Sequence, residues 1–267
     1  MKEQIIKERR AKTCVIAPLL SSHRRLLSRS VSSLTPHISS VGFNDRFDRL
    51  DEELGDRGIN QLKIEKYFGD EWFCPTQSTA IAIPFWLADE RLKQIERELV
   101  GFVEGETDDE FMRLMRHEAG HCVDHAYRLS KRSDWQNIFG DPTIYYDPDS
   151  VPTILGHPDF VENLSGGYAQ THPEEDFAET FAVWLAPSLG QNGFKSNWRQ
   201  TYRNRPVALK KLLFVDQLMQ EVCEKKPKKI TNQKICNARR MRKSLEKYYS
   251  ERLQHLEKTR YPNAPLH

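Results

Sequence analysis

Residues 107–125 constrain the fold more than any other stretch, because cap, charge and periodicity all specify one buried helix. Thr107 with Glu110 three residues later forms a capping box. Asp108, Asp109 and Glu110 place negative charge in the first turn, where the helix dipole favours it. Phe111, Leu114, Met115, Glu118, His121, Cys122 and His125 then recur at helical spacing, so an apolar stripe runs directly into histidines. Ionisable rings on a buried stripe are costly unless something satisfies them.

Within that helix, residues 117–121 read His-Glu-Ala-Gly-His. Histidines four apart lie one turn above the other on one face and can hold one zinc ion, while Glu118 on the adjoining flank reaches a water on that metal. His125 cannot join His117 on the same ion, since eight residues of helix separate their backbones by about 12 Å. Cys122 points about 100 degrees around the helix from His121 and is no ligand. An extended pattern with glycine and a third histidine fails, because Asp124 and Tyr127 occupy those places. Asp124, close to one turn beyond His121, is a candidate for supporting a ligand from outside the metal's own shell.

A third protein ligand comes from a second helix over residues 171–185. Thr171 is expected to cap it, with Glu174 three on and Pro173 in the first turn. Phe177, Phe181, Trp184 and Leu185 form its core stripe, and Glu175 and Glu179, four apart, can point at one site. An acidic first turn accounts well for Glu174 and Asp176 and poorly for Glu179. The residues alone leave Glu175, Glu179 and Asp176 as candidate ligands. One carboxylate would complete the metal shell, and another could hold a histidine N–H so that the opposite ring nitrogen faces zinc.

His117-Glu-Ala-Gly-His121 followed by Tyr168-Ala-Gln-Thr-His-Pro-Glu-Glu-Asp-Phe-Ala-Glu-Thr-Phe-Ala-Val-Trp-Leu185 resembles a bacterial family of zinc-binding metallopeptidases, recognised mainly by its metal motif. The similarity runs from about residue 69 to 219 and includes Asp70-Glu-Trp and Ala80-Ile-Ala-Ile-Pro-Phe. The Glu-x-x-x-Glu pair and the tyrosine seven residues before it also resemble the lethal-factor type of zinc peptidase. That resemblance implies Glu175 as zinc ligand, Glu179 as the carboxylate supporting a ligand, and Tyr168 facing the reacting carbonyl. The implied fold is α+β, a zincin-like metallopeptidase core: a small mixed sheet, an active-site helix and a second metal-ligand helix, followed by a helical C-terminal extension. The implied activity is peptide-bond hydrolysis by a zinc-activated water with one Zn2+ per chain, Glu118 as general base and a peptide or protein as substrate.

The remaining sequence bounds this expectation. The 267 residues allow one sizeable core plus tails. Mean hydropathy is −0.68, no run of apolar residues is long enough to span a bilayer, and the segment 14–20 is a poor signal core. Five scattered cysteines suit reduced thiols, and a cytoplasmic location is expected. Net charge of +2 hides an asymmetry: +6 over residues 1–30, +8 over 221–260 and −12 between them. The expected organisation is a basic Ser/Arg-rich tail at 1–40, a catalytic domain at 41–222 and a basic amphipathic extension at 223–267.

Leu209, Leu212, Leu213, Val215, Leu218, Met219 and Val222 form the apolar face of one helix, broken by Lys225-Lys-Pro-Lys-Lys229. A second helix over 232–259 is expected to turn Ile235, Met241, Leu245, Tyr249, Leu253 and Leu256 inward, with basic residues outward for weak contact with nucleic acid or an acidic surface. Residues 80–87 read as a strand that Pro84 assigns to a sheet edge, where extended substrate could pair. A helix over 88–102 should back it with Leu92, Ile95, Leu99 and Phe102. The stretch 131–170, with Trp135, Phe139, Tyr145 and Tyr146, reads as a loop forming a specificity wall. A metal-binding module without catalysis, or a nucleic-acid-associated protein with a structural metal, are the alternative functions.

Overall fold

The computed structural model describes residues 23–146, 153–187, 198–230, 232 and 234–260. Seven main helices and two strands appear in the order α1 (Asn44–Asp56), β1 (Glu65–Gly69), β2 (Ala80–Pro84), α2 (Glu90–Val100), α3 (Asp108–Tyr127), α4 (Ser133–Phe139), α5 (Pro173–Leu185), α6 (Pro206–Val222) and α7 (Leu245–Arg260). This mixed helical arrangement with a small sheet is α+β.

At the centre lies α3. Thr107 Oγ1 accepts from the Glu110 N–H at 3.2 Å, and the helix ends at Arg128 in the left-handed region (φ 53°). Most of α3 is buried, its apolar face running from Phe111 and Met112 through Met115 and Ala119 to Val123. It is crossed closely by α5. A Cβ built on Gly120 would lie 3.0 Å from the Ala178 Cα, so only glycine lets these two backbones come together.

β1 and β2 pair in parallel, with Glu65 opposite Ala80 and Gly69 opposite Pro84. On the far side of β2, Phe73 makes an antiparallel bridge to Ala82, whose N–H donates to the Phe73 carbonyl at 2.9 Å. All five β2 residues are buried, yet β2 borders a two-stranded sheet, as Pro84 led us to expect, with Phe73 covering it at one bridge. Proline is accommodated because Pro84 is the last strand residue; the chain then turns at Phe85–Ala88 in 3-10 geometry. α2 starts at an Asp89 cap and buries Leu92 and Ile95, but Phe102 lies beyond its end and is 57% exposed.

The stretch expected as a loop contains α4, and Trp135 and Phe139 belong to the core rather than to a wall. α6 packs on α5, with the Trp184 indole donating to Asp216 at 2.9 Å; Leu213 is 45% exposed, outside its apolar face. The helix expected over 232–259 begins only at Leu245. Residues 234–244 hold only one 3-10 turn, Ala238–Arg240, and Ile235 is 47% exposed.

Leu245, Tyr248 and Tyr249 are buried in the same core as α3 and α5, and the Tyr248 ring meets Phe85 edge-on at 5.1 Å. Residues 29–32 zip to 241–245 through Val31 N–H to Lys243, Ser32 N–H to Met241 and Leu245 N–H to Arg29. Of the expected N-terminal tail, residues 1–22 lie outside the described residues, while Leu27 and Val31 are core.

Candidate metal centre

α3 supplies His117, Glu118 and His121, and α5 supplies Glu175 and Glu179 across the close contact at Gly120. His172 caps α5, its Nδ1 accepting from the Glu174 N–H at 3.2 Å, so the expected cap at Thr171 is corrected. Thr171 instead donates its hydroxyl to the Tyr168 carbonyl at 2.8 Å and closes the turn that precedes the helix.

The Nε2 atoms of His117 and His121 are 3.2 Å apart, and Glu175 Oε2 is 3.0 Å from the first and 3.2 Å from the second. These three ligand atoms all lie within 4.8 Å of one another, the spacing of a donor set that can share one cation. Behind them, the His117 Nδ1–H donates to Glu179 Oε1 at 2.8 Å. Glu179 is 0% exposed, and its Oε2 also accepts the backbone N–H groups of Asn163 (2.7 Å) and Leu164 (2.8 Å). A carboxylate only accepts, so this contact keeps a proton on Nδ1, and a cation at the cluster would displace the one on Nε2 and take its lone pair. The set of two imidazole nitrogens and one carboxylate oxygen fits zinc.

Asp176, the other candidate on this turn, faces away, its Oδ2 lying 2.7 Å from Lys211 Nζ of α6. Asp124 is also corrected: its Oδ1 accepts the Ser130 N–H at 2.6 Å and closes the turn after α3, without reaching a histidine. His125 donates to the Ser78 carbonyl at 2.9 Å and braces the loop ahead of β2. The Cys122 Sγ lies 3.4 Å from Cys74 Sγ, outside the donor set.

Electrostatics mark the cluster. Burial alone would lower the His117 ring, but hydrogen bonds to Glu175 and Glu179 outweigh it and hold its pKa well above the usual imidazole value. His121 is raised in the same way by Glu175. The Glu175 carboxyl is pushed far down: burial raises it, and the two histidines more than reverse that. Burial pushes the Glu118 carboxyl up, partly offset by the same rings.

Glu118, His117 and Tyr168 open onto a cavity of about 620 Å3 whose walls include Trp72, Trp86 and Arg252. The Tyr168 ring lies 5.5 Å from His117, and its hydroxyl is 2.8 Å from that of Tyr146. Burial and Glu175 push the Tyr146 phenol up to about 12. Glu104, on the same cavity, is pushed up to about 7 by burial and by Glu110.

Beyond the wall expected to include Tyr146, three contributors carried no signal as site residues in the sequence: Asn163, Leu164 and Arg252. The N–H groups of Asn163 and Leu164 are backbone, which no motif records. Arg252 arrives on α7, held by Glu71 at 2.8 Å and Glu96 at 3.2 Å, with its guanidinium 4.5 Å from the Trp86 ring centre.

Residues 88–202 match the family model described as "Putative zinc-binding metallo-peptidase", the family that the two motifs resemble. No curated protein matches the chain. No solved structure matches it either. Among the described residues no helix is long and apolar enough to cross a membrane.

Proposed function

We propose that the protein is a zinc-dependent peptidase with a zincin-like core, in which His117, His121 and Glu175 hold one zinc ion and Glu118 is the general base. The observation that carries this reading is the convergence of two imidazole Nε2 atoms and one carboxylate oxygen from two helices, beside a further buried carboxylate that lines a cavity. The family match over residues 88–202 supports the metal and the reaction class. Zinc held there supplies a bound water with a pKa lowered towards about 7 and a Lewis acid for a carbonyl oxygen.

The chain's own groups do the rest. Glu179 keeps the His117 ring in the ligating tautomer and orientation. Glu118 takes the proton from the attacking water and returns it to the leaving amine, and its raised pKa brings it closer to the range where a carboxyl can do both. The Tyr168 hydroxyl, 2.8 Å from that of Tyr146, is positioned by that contact to donate to the oxyanion that develops on the peptide carbonyl. Trp72 and Trp86 offer apolar walls for substrate side chains. The segment at Phe73, antiparallel to β2, offers main-chain groups to an extended peptide.

The test is metal content by inductively coupled plasma mass spectrometry, followed by casein hydrolysis. About one zinc per chain, lost in His121→Ala, with hydrolysis that needs Glu118, is expected. A folded chain unable to take up zinc would sink the proposal. Zinc without any Glu118-dependent hydrolysis would make the protein a metal-binding interaction module instead.

A further inference from the structure

The far end of α3 gathers positive charge for which the peptidase reading has no use. A second cavity, of about 500 Å3, shares no lining residue with the cleft and is lined by Arg128, Lys131, Lys228 and Lys229, together with Asp124 and Ser130 among others. That volume falls inside the roughly 300–1,000 Å3 of small-molecule sites. Lys228 and Lys229 belong to the basic run that ends α6, and they are held against α3 rather than left to drift. The Lys228 N–H donates to the Ala126 carbonyl in the last turn of α3 at 2.9 Å.

None of these four cations has an ion pair with a described residue, whereas Arg46, Arg113, Arg116, Arg132 and Arg252 each have one. The plainest explanation is that cations favour a helix C-terminus, which carries only about half a negative charge. Asp124 adds one more and is itself engaged by the Ser130 N–H. Together they leave an excess of roughly two to three positive charges around one concavity. Like charges gathered around one concavity repel, a cost that a multiply charged anion would remove.

We infer that this cavity is a binding site for a ligand carrying several phosphate groups. The Arg128 guanidinium can engage phosphate oxygens as a planar fork, and the three lysines supply point charges around it. The inference concerns a different cavity from the metal centre and stands whether or not the chain hydrolyses peptides.

The experiment is isothermal titration of the whole chain with sodium tripolyphosphate and, in parallel, with a single-stranded thymidine decamer. The expected result is saturable binding that weakens steeply between about 50 and 200 mM salt. The Lys228→Glu/Lys229→Glu variant should lose at least about tenfold in affinity, with unchanged melting temperature and zinc content, since both residues are exposed. Lys131→Gln, on a separate element, should weaken binding to a lesser degree.

Loss of both probes in these variants with the decamer tighter would assign the phosphates to a nucleic-acid backbone. Equal or tighter tripolyphosphate would assign them to a free polyphosphate or nucleotide. No binding of either probe at millimolar concentration, or full binding by both variants, overturns the site. Tripolyphosphate binding that disappears in His121→Ala also overturns it, because the probe would then be on the metal.

Discussion

Two buried charge clusters sit one residue apart on α3, and they are built to different ends. Arg116 donates from Nε and Nη2 to the two oxygens of Glu53, each at 2.7 Å, and both residues are buried between α1 and α3. Arg49 Nε adds a further contact to Glu53 Oε1 at 3.2 Å, so charge and hydrogen bonding are satisfied by protein groups alone. At His117 the arrangement runs the other way: two ring nitrogens and a carboxylate oxygen converge on one volume, with a further carboxylate fixing the ring from behind. The first cluster is a joint between helices. The second presents the donor set of a cation site. Burial and ionisability are common to both, so it is the direction in which lone pairs point that separates a site from a brace.

The largest effect expected is on turnover. Glu118→Gln should reduce casein hydrolysis by roughly 10^2- to 10^4-fold while zinc content stays near one per chain. Turnover within a few-fold of the parent chain would remove Glu118 from the chemistry. Next, breaking the brace with Glu53→Gln should cost about 3–5 kcal/mol in urea denaturation, because it leaves Arg116 buried without its partner charge. Zinc stoichiometry should survive in whatever remains folded; its loss would mean that the two clusters are one.

Glu179→Gln should then lower zinc affinity by about 10- to 100-fold in competition with a chelator. An unchanged affinity would mean that Glu179 is there only to hold the 163–164 segment.

Acidity offers a further way to part the clusters. His117 and His121 have folded values above the usual 6.5, so their contribution to the zinc-free protein is full below that value and is lost as pH rises through the raised ones. Glu175 is depressed below its usual 4.5, so its contribution is present above that value and is lost as pH falls through the lowered one. Zinc-free protein should therefore melt at lower temperature as pH rises above neutrality. Zinc affinity should increase over the same range, because the rings must release protons to bind. Melting curves with and without chelator from pH 6 to 9 test this, and parallel trends would contradict it.

The smallest effect is expected at Tyr146→Phe. Loss of one hydroxyl contact to Tyr168 should cost about 0.5–1.5 kcal/mol, or roughly two- to tenfold in kcat, with KM little changed.

The parts of this molecule that are legible in the sequence are those where geometry is local. Thr107, Glu110 and the stripe from Phe111 to His121 specify α3, because a helix relates residues three and four apart whatever surrounds it. The same rule narrows the carboxylates to one helix, but it cannot say which of Glu175, Asp176 and Glu179 turns towards α3. That depends on how α5 is rotated against Gly120 and on Lys211 drawing Asp176 to α6. Asp124 had the right spacing and the wrong neighbour, a backbone N–H six residues on. The amphipathic pattern over 232–259 held only from Leu245, since residues 234–244 are engaged by contacts with 29–32 and Tyr67 that periodicity does not record. Pro84 marked β2 as an edge strand, but nothing in the sequence records the single bridge by which Phe73 covers it at Ala82.

The clasp between residues 29–32 and 241–245 carries a consequence for how the protein comes into being. α7 brings Arg252 to the cleft and Tyr248 against Phe85, and it emerges from the ribosome after every other element described. The crossing of α3 and α5 can form on the nascent chain well before that, because folding proceeds from the N-terminus during synthesis. The candidate metal centre is thus assembled early, and this wall of its cleft is hung last, on a clasp supplied by the first described segment of the chain.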